Sequence, residues 1–232
     1  MAIQYLPSIA IEGHQSSASG GPDHPMRIAT RRAAGLDPGG WTRELSKEVG
    51  EFFDTLSNEW HTRTSPQRTA VVLDALERGL GRPGSRSGVV VEVGSGIGTY
   101  SGLLAERFAT VLAIDLSLAM LRLAPFETAH RIQADGAMLP VRDSSAAAVV
   151  LINAFLFPAE VDRILARDGA LVWVNSSGAQ TPIFLAAEDL LSALLPGNWT
   201  GTASQAGEGT WCVLRKIPNP KSQDPNPNRH RS

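Results

Sequence analysis

The chain has 232 residues, of which 43% are hydrophobic and 19% are charged, and its formal net charge at pH 7 is −2. This length and composition favour one domain with a sizeable core and short appendages. The near-neutral charge gives no general attraction to a polyanion, so we expect no nucleic-acid partner.

The N-terminal 63 residues differ in composition from the rest of the chain. Residues 12–40 are rich in Gly, Ser, Pro and Ala, and they predict an extended or poorly ordered stretch with a short helix near 28–34. Between Trp41 and Trp60, apolar residues recur at helical spacing opposite a charged face, which predicts an amphipathic helix. We expect its apolar stripe to pack into the core, because amphipathic helices of globular proteins usually bury such a stripe. The alternative is that the stripe lines a substrate pocket.

Titratable side chains of this segment are candidates for catalysis and for binding an anionic substrate. His61 is the candidate catalytic residue, because an imidazole with an unperturbed pKa of about 6.5 can accept a proton near neutral pH. The alternative is a structural or solvated histidine. Arg27, Arg31 and Arg32 could contact an anionic substrate, although an exposed, solvated cluster is the simpler interpretation.

A second helix is predicted to start at Thr64-Ser65-Pro66-Gln67, where a hydroxyl residue precedes a proline. Beyond it, continuous apolar runs alternate with helical patterns centred near residues 103, 120 and 162. The runs occupy residues 88–93, 110–114, 129–134, 147–152 and 170–174, and two further strands are expected near 199–205 and 209–216. Such alternation predicts a mostly parallel sheet with helices on both faces.

The first of these strands leads into a glycine-rich turn, Gly94-Ser95-Gly96-Ile97-Gly98. Glycine lets the backbone approach a ligand closely, and the order of strand, glycine turn and helix predicts a nucleotide-type site. The dinucleotide fingerprint would need its third glycine at position 99, which is Thr99 here. The spacing therefore argues against NAD.

Polar residues follow several strands, at the edge where open parallel sheets bind their ligands. Glu92 precedes the glycine turn and Asp115 ends the next strand, while Asp135 and Asn153 follow the two strands after that. A carboxylate that accepts from two ribose hydroxyls makes charge-assisted hydrogen bonds. Alternatively, Asp115 caps a helix and Asp135 belongs to an ordinary turn. Glu92 could organise the loop without touching a ligand.

These residues resemble the class I S-adenosylmethionine-dependent methyltransferases. Glu92 to Gly98 is similar to the family's first motif, an acid, one residue and then Gly-x-Gly-x-Gly. Four later stretches are similar to the family in the same order: residues 112–115, 133–136, 139–144 and 167–172. The resemblance covers roughly residues 65–216.

The resemblance implies S-adenosylmethionine as the cofactor, with Asp115 at the ribose and Asp135 at the adenine amino group. The residues expected to contact it are Glu92, Gly94, Ser95, Gly96, Gly98, Asp115, Leu116, Ala134, Asp135, Gly136 and Asn153. The implied activity is methyl transfer to an oxygen or nitrogen of a small-molecule acceptor. Two features depart from the family: Ala146-Ala147 replace an aromatic–acid pair, and no histidine follows that strand. The alternative is therefore a non-catalytic S-adenosylmethionine-binding protein or partner subunit.

Cysteine and histidine usage bears on metals and on the cellular compartment. Cys212 is the only cysteine, which excludes a disulfide within the chain and fits a reducing cytoplasm. It stands in an apolar run, so we expect a buried hydrophobic residue and not a nucleophile. The five histidines show no metal-ligand spacing, so we expect no metal. No apolar stretch approaches the roughly 20 residues of a membrane helix, so we expect a cytoplasmic protein without a membrane segment.

The expected fold is α/β, a Rossmann-like three-layer sandwich around a seven-stranded, mostly parallel sheet with an antiparallel last strand. We expect residues 64–217 to form the S-adenosylmethionine-binding methyltransferase domain. Residues 1–63 are expected to form an N-terminal extension and helical lid, because the connections within the domain are too short to cover the strand ends. Residues 218–232 are rich in Pro and polar residues and are expected to form a disordered tail.

Overall fold

Eight strands form one sheet in the computed structural model, which describes residues 2–14, 20–81, 87–194 and 199–217. The strands are β1 (Ala2–Tyr5), β2 (Val89–Val93), β3 (Thr110–Asp115), β4 (His130–Gln133), β5 (Ala146–Ile152), β6 (Leu165–Asn175), β7 (Trp199–Ala206) and β8 (Gly209–Lys216). They lie in the order β1-β7-β8-β6-β5-β2-β3-β4. Neighbours are parallel except for β8, which runs antiparallel to β6 and β7. This arrangement confirms the predicted Rossmann-like α/β sheet with an antiparallel last strand.

The predicted number of seven strands was wrong, because β1 adds an eighth strand within the described residues. It pairs in parallel with β7, from Ala2 opposite Thr200 to Tyr5 opposite Ala203. Three of its four residues are exposed, so no apolar run marks them as a strand. Backbone groups at a sheet edge can pair whatever the side chains are. The N-terminal segment therefore contributes a strand to the sheet. The predicted division of the chain into an extension, residues 1–63, and a domain that starts at residue 64 stays a prediction.

Seven α-helices are present in the described residues: α1 (Pro25–Ala33), α2 (Arg43–Leu56), α3 (Pro66–Asp74), α4 (Ser101–Ala105), α5 (Leu118–Leu123), α6 (Pro158–Ile164) and α7 (Ala187–Ala193). Short 3₁₀ turns occupy Ser57–Arg63 and Gly178–Gln180, and a π-helical turn, Ala75–Leu80, continues α3. The predicted start of α3 is confirmed, since the Ser65 hydroxyl accepts from the amide of Arg68 at 3.2 Å and Pro66 follows the cap. The predicted tail, residues 218–232, lies outside the described residues.

Two apolar layers cover the two faces of the sheet. Alternate residues of β5 point to opposite sides, so that Val149 and Leu151 belong to one layer and Ala148 and Val150 to the other. The central strands β2, β5 and β6 are therefore buried on both faces over most of their length, as in other mostly parallel sheets, whereas the edge strand β4 is only partly buried. Cys212 is 1% exposed within β8, which confirms it as a buried residue. Burial raises the pKa of its thiol to about 12.

The strand order reverses between β2 and β5. The chain continues from β2 to β3 and β4 on one side, and β5 and β6 lie on the other. In open α/β sheets this reversal leaves a crevice at the carboxyl ends of the strands. The fold thus brings the glycine turn after β2 and the polar residues after β3, β4 and β5 to one edge of the sheet.

Candidate active site

The glycine turn after β2 adopts backbone angles that favour glycine. The φ angles of Gly94, Gly96 and Gly98 are 69°, 55° and 73°, in the left-handed region. A Cβ atom on Gly94 would also lie 2.6 Å from the Cβ of Ala154. The amides of Gly94 and Ser95 donate to the carbonyl of Ile114 at 2.8 and 3.1 Å, which fixes the turn against the end of β3. The turn is therefore held open to the crevice.

Asp115, the last residue of β3, accepts two backbone hydrogen bonds. Its carboxylate receives the amide of Gly96 at 2.7 Å and the amide of Ser117 at 2.8 Å, one on each oxygen. Burial raises the pKa of Asp115, and the two amides oppose that shift. A carboxylate has about four lone-pair sites, so both oxygens keep acceptor capacity. Asp115 can therefore organise the loops and still accept from a ligand hydroxyl.

Glu92 lies one residue before the end of β2 and is 2% exposed. The Ser101 hydroxyl donates to its carboxylate at 2.5 Å, which connects β2 to the first residue of α4. Burial raises the pKa of Glu92 to about 7, against the lowering effect of Ser101, and the nearby Asp115 raises it further. These contacts favour the interpretation that Glu92 organises the glycine turn.

Asp135, predicted to contact adenine, is already hydrogen-bonded by the N-terminal segment. It accepts from the indole Nε1 of Trp41 at 3.0 Å, from the Ser46 hydroxyl at 2.5 Å and from the amide of Ala137 at 2.9 Å. Trp41 also contacts the rings of Phe155 and Phe157, at centroid distances of 5.2 and 5.1 Å. The adenine contact stays a prediction, and Asp135 additionally fastens α2 and the residue before its cap to the end of β4.

One cavity of about 790 Å³ brings the predicted cofactor residues together. Ten of the eleven line it: Glu92, Gly94, Ser95, Gly96, Asp115, Leu116, Ala134, Asp135, Gly136 and Asn153. Gly98 is not among the lining residues and instead packs where the turn enters α4, since a Cβ there would lie 3.1 Å from the Cβ of Ala124. The side-chain oxygen of Asn153 accepts from the amide of Ser176 at 2.9 Å, which joins the ends of β5 and β6.

The N-terminal segment supplies the opposite wall of this cavity. The apolar stripe of α2 and the 3₁₀ turn after it contributes Val49, Phe52, Phe53, Leu56 and Trp60. The stripe therefore lines a cavity, so the preferred expectation of core packing was wrong and the pocket wall left open as the alternative is what the structure shows. The reason is that α2 lies over the strand ends, where its Asp54 accepts from the Ser117 hydroxyl and from the amide of Ala119 at the start of α5. A Cβ on Gly96 would lie 3.4 Å from Trp60 Nε1, so the indole reaches the glycine turn.

The histidines of this segment are placed differently from the prediction. His61 is exposed and is not among the lining residues, although its neighbours Trp60 and Thr62 are. Its catalytic role stays a prediction without support from the geometry. His14 and His24 do line the cavity. Neither belongs to a motif, and only the folding of residues 2–14 and 20–63 onto the sheet brings them there.

The N-terminal arginines connect this segment to the body of the protein. Arg27 donates to the carbonyls of Gly20, Ala179, Thr181 and Pro182 at distances of 2.7 to 3.3 Å. Arg31 forms ion pairs with Asp37 and with Asp189 of α7, both at 3.1 Å. The simple solvated cluster expected from the sequence is therefore wrong for these two arginines. They hold α1 beside the chain that follows β6.

No group of three or more His, Cys, Asp or Glu side chains that could hold a metal occurs in the part of the chain that the structure describes. Among the same residues, no helix is long and apolar enough to cross a membrane.

Comparison with known proteins identifies the domain type. Residues 91–172 match the family described as "Methyltransferase domain". No curated protein matches the chain significantly.

Solved structures of methyltransferases share the fold. The DhpI complex with S-adenosylhomocysteine superimposes with a TM-score of 0.62 and 20% identity, covering 77% of this chain and 100% of DhpI. Haemonchus contortus phosphoethanolamine N-methyltransferase 1 gives a TM-score of 0.57 and 15% identity, covering 80% of this chain and 52% of that one. A possible histamine N-methyltransferase from Thermotoga maritima gives 0.53 and 16%, covering 72% and 99%. Residues 91–172 therefore match a methyltransferase domain, and the chain shares the fold of these solved methyltransferases, with the glycine turn, the strand-end acids and the sheet order in agreement.

Proposed function

We propose that this protein transfers a methyl group from S-adenosylmethionine to an oxygen or nitrogen of a small-molecule acceptor. The observation that carries the proposal is that the glycine turn, Asp115 and the aromatic wall from α2 face one cavity. Its volume of about 790 Å³ lies within the range of about 300 to 1,000 Å³ typical of small-molecule and cofactor sites. The proposal includes the cytoplasmic location and the absence of a nucleic-acid partner that the sequence predicts.

The residues at the strand ends fit S-adenosylmethionine. The hydroxyl of Ser95 is buried and has no hydrogen-bond partner among the described residues, so a polar ligand group there would satisfy it. Gly94 and Gly96 line the cavity with backbone alone. Asp115 keeps acceptor capacity for ribose hydroxyls, and Asp135 would face the adenine. Leu116, Ala134 and Gly136 would complete this wall.

The remaining wall would hold the acceptor. When bound, S-adenosylmethionine supplies an electrophilic methyl group on a sulfonium sulfur. Because the displacement requires an in-line arrangement, the contribution of this chain is to position the acceptor and exclude water. Phe52, Phe53 and Trp60 offer apolar and aromatic surface for that purpose. Residues 1–63 would then act as the lid over the strand ends, with Asp135 and Asp54 as its anchoring points.

Methyl transfer can be tested with purified full-length protein, S-adenosylmethionine labelled at the methyl carbon and a metabolite extract of the host. We expect time-dependent transfer of label to one or a few small molecules. Binding of the cofactor without transfer to any fraction of the extract would instead favour the non-catalytic alternative. Transfer of label to protein or nucleic acid alone would contradict the small-molecule acceptor.

A further inference from the structure

His14 presents a buried nitrogen without a partner to the cavity. The residue is 9% exposed, and its Nδ1 accepts from the amide of Glu208 at 3.2 Å. Its Nε2 is buried and has no hydrogen-bond partner among the described residues, and the side chain lines the same cavity as the glycine turn. Because Nδ1 is the acceptor, the neutral ring carries its proton on Nε2. A buried donor left without an acceptor is unfavourable, so this position is suited to an oxygen atom of a ligand.

The turn between β7 and β8 fixes the direction of this donor. Gly207 has a φ of 54°, and a Cβ atom on it would lie 2.6 Å from Nδ1 of His14. The amide of Gly207 donates to the carbonyl of Ile9 at 2.8 Å, which holds the segment that leads to His14 against the same turn. The imidazole is therefore packed on its Nδ1 side and directs Nε2 away from the turn.

The first turn of α3 provides further donors beside His14. Gln67 Nε2 lies 3.5 Å from the position that a Cβ atom on Gly13 would occupy. Arg68 is half-buried and lines the cavity, and its Nη1 donates to the carbonyl of Arg63. No carboxylate in the described residues forms an ion pair with Arg68. A guanidinium in that state can bind a carboxylate or a phosphate through its other N–H groups.

The cavity has negatively charged side chains on one wall and positively charged side chains on another. The acids Glu92, Asp115 and Asp135 lie at the strand ends, whereas the arginines Arg63 and Arg68 lie on the wall formed by the 3₁₀ turn and α3. We propose that the methyl acceptor carries an anionic oxygen group, a carboxylate or a phosphate, which binds to the Nε2–H of His14 and the guanidinium of Arg68. This inference rests on the proposed function and names its substrate class. His14 acts here as a binding residue, because a nitrogen that carries a proton has no lone pair with which to act as a base.

The test uses full-length protein saturated with S-adenosylhomocysteine, with inorganic phosphate and acetate as separate probes. Spectra of protein with ¹⁵N-labelled histidine rings report on His14 Nε2 directly, and we expect a saturable shift on addition of a probe. The probe with the higher affinity distinguishes a phosphate from a carboxylate acceptor. Arg68→Gln and His14→Phe should each weaken probe binding by roughly tenfold or more, the effect of losing a hydrogen bond to a charged group.

Matched variants separate a binding role from a structural one. Arg122→Gln and His130→Gln change side chains outside the cavity and should bind the probes as the unchanged protein does. His14→Gln keeps an acceptor for the Glu208 amide and a donor for the ligand, so it should restore much of the probe affinity. If the phenylalanine variant does not fold, the His14 ring signal and the loss of affinity in Arg68→Gln carry the test.

Three outcomes would overturn the inference while the cofactor still binds. These are an unchanged His14 ring signal with both probes, probe binding by Arg68→Gln as tight as that of the unchanged protein, and no restoration in His14→Gln. Failure of S-adenosylhomocysteine to bind the unchanged protein would be a different result, since it contradicts the proposed function itself.

Discussion

Asp115 and Asp135 are acids at neighbouring strand ends, yet their surroundings give them different roles. Asp115 accepts two backbone amides, keeps further acceptor capacity and lines the cavity. Asp135 accepts from Trp41, Ser46 and Ala137, so most of its acceptor capacity is used within the chain. At the scale of single residues, Asp115 is therefore the better-supported cofactor contact.

Replacement of Asp115 tests that assignment. Asp115→Ala should weaken binding of S-adenosylhomocysteine at least about tenfold, because one or two charge-assisted hydrogen bonds are lost at about 1.5–3 kcal/mol each. Isothermal titration calorimetry measures the affinity. Asp168→Ala, which removes an exposed carboxylate from β6, is the control and should leave the affinity unchanged. Equal affinities for the two variants would reduce Asp115 to a residue that organises the loops.

Glu92 makes a prediction about stability and pH. Its pKa is raised to about 7 in the folded protein from 4.5, so the folded state binds more protons than the unfolded state between these values. The free energy of unfolding should therefore fall as the pH rises from about 4.5 to about 7, by on the order of 3 kcal/mol from this group. Glu92→Gln removes the titration and can still accept from Ser101, so its stability relative to the unchanged protein should increase over that range.

Urea unfolding at several pH values, without cofactor, measures this difference. Glu48→Gln removes an exposed carboxylate from α2 and controls for the loss of one negative charge. A constant difference between Glu92→Gln and the unchanged protein from pH 5 to pH 8 would contradict the prediction.

At the scale of elements, α2 is connected to the domain at both of its ends. Trp41 and Ser46, near its beginning, donate to Asp135 after β4. Asp54, near its end, accepts from the Ser117 hydroxyl and the Ala119 amide at the beginning of α5. These contacts fix the position of α2, and with it the side chains of Phe52 and Phe53, over the strand ends.

Asp54 belongs to α2 but accepts from a backbone amide in the first turn of α5, as an N-cap side chain would. Asp54→Ala should destabilise the protein by about 0.5–2 kcal/mol, the usual cost of removing a cap. Glu51→Gln, which breaks only the exposed pair with Lys47 on the same helix, should change stability by no more than about 0.5 kcal/mol. Thermal and urea unfolding compare the two. Similar destabilisation by both variants would show that Asp54 has no special role in anchoring α2.

At the scale of the whole molecule, the N-terminal segment is both part of the sheet and a wall of the cavity. β1 pairs with β7, Arg27 and Arg31 hold α1 beside the chain around α7, and α2 covers the strand ends. A ligand in the cavity would contact the sheet edge and this segment together. Ligand binding should therefore raise the free energy of unfolding of the sheet and of the N-terminal segment together.

Thermal unfolding with ligands tests this expectation. S-adenosylhomocysteine at 100 times its Kd should add about 2.7 kcal/mol to the free energy of unfolding. For a domain of this size that corresponds to an increase in Tm of roughly 5 to 11 °C. NAD should give no comparable increase, because the glycine spacing does not fit it. Protection by NAD without protection by S-adenosylhomocysteine would contradict the assignment of the cofactor.

Local patterns in the sequence were enough to predict the strands and the glycine turn. Continuous apolar runs predicted strands β2 to β6, because a strand buried on both faces has no polar face to alternate with. The spacing of Gly94, Gly96 and Gly98, with Asp115 a strand later, predicted the cofactor site, because motif and strand end lie close together in the chain. These signals are local, and ten of the eleven predicted cofactor residues line the cavity.

The wall that lies across from those residues could be seen only in the folded chain. The pairing of β1 depends on backbone groups at the edge of β7, some 200 positions later in the chain. The stripe of α2 has the spacing of a core helix, and its position over the strand ends alone makes it a cavity wall. His61 stands beside an aromatic residue in the sequence but is exposed, whereas His14 is buried by the distant turn at Gly207. Such contacts join segments far apart in the chain, so no periodicity or motif records them.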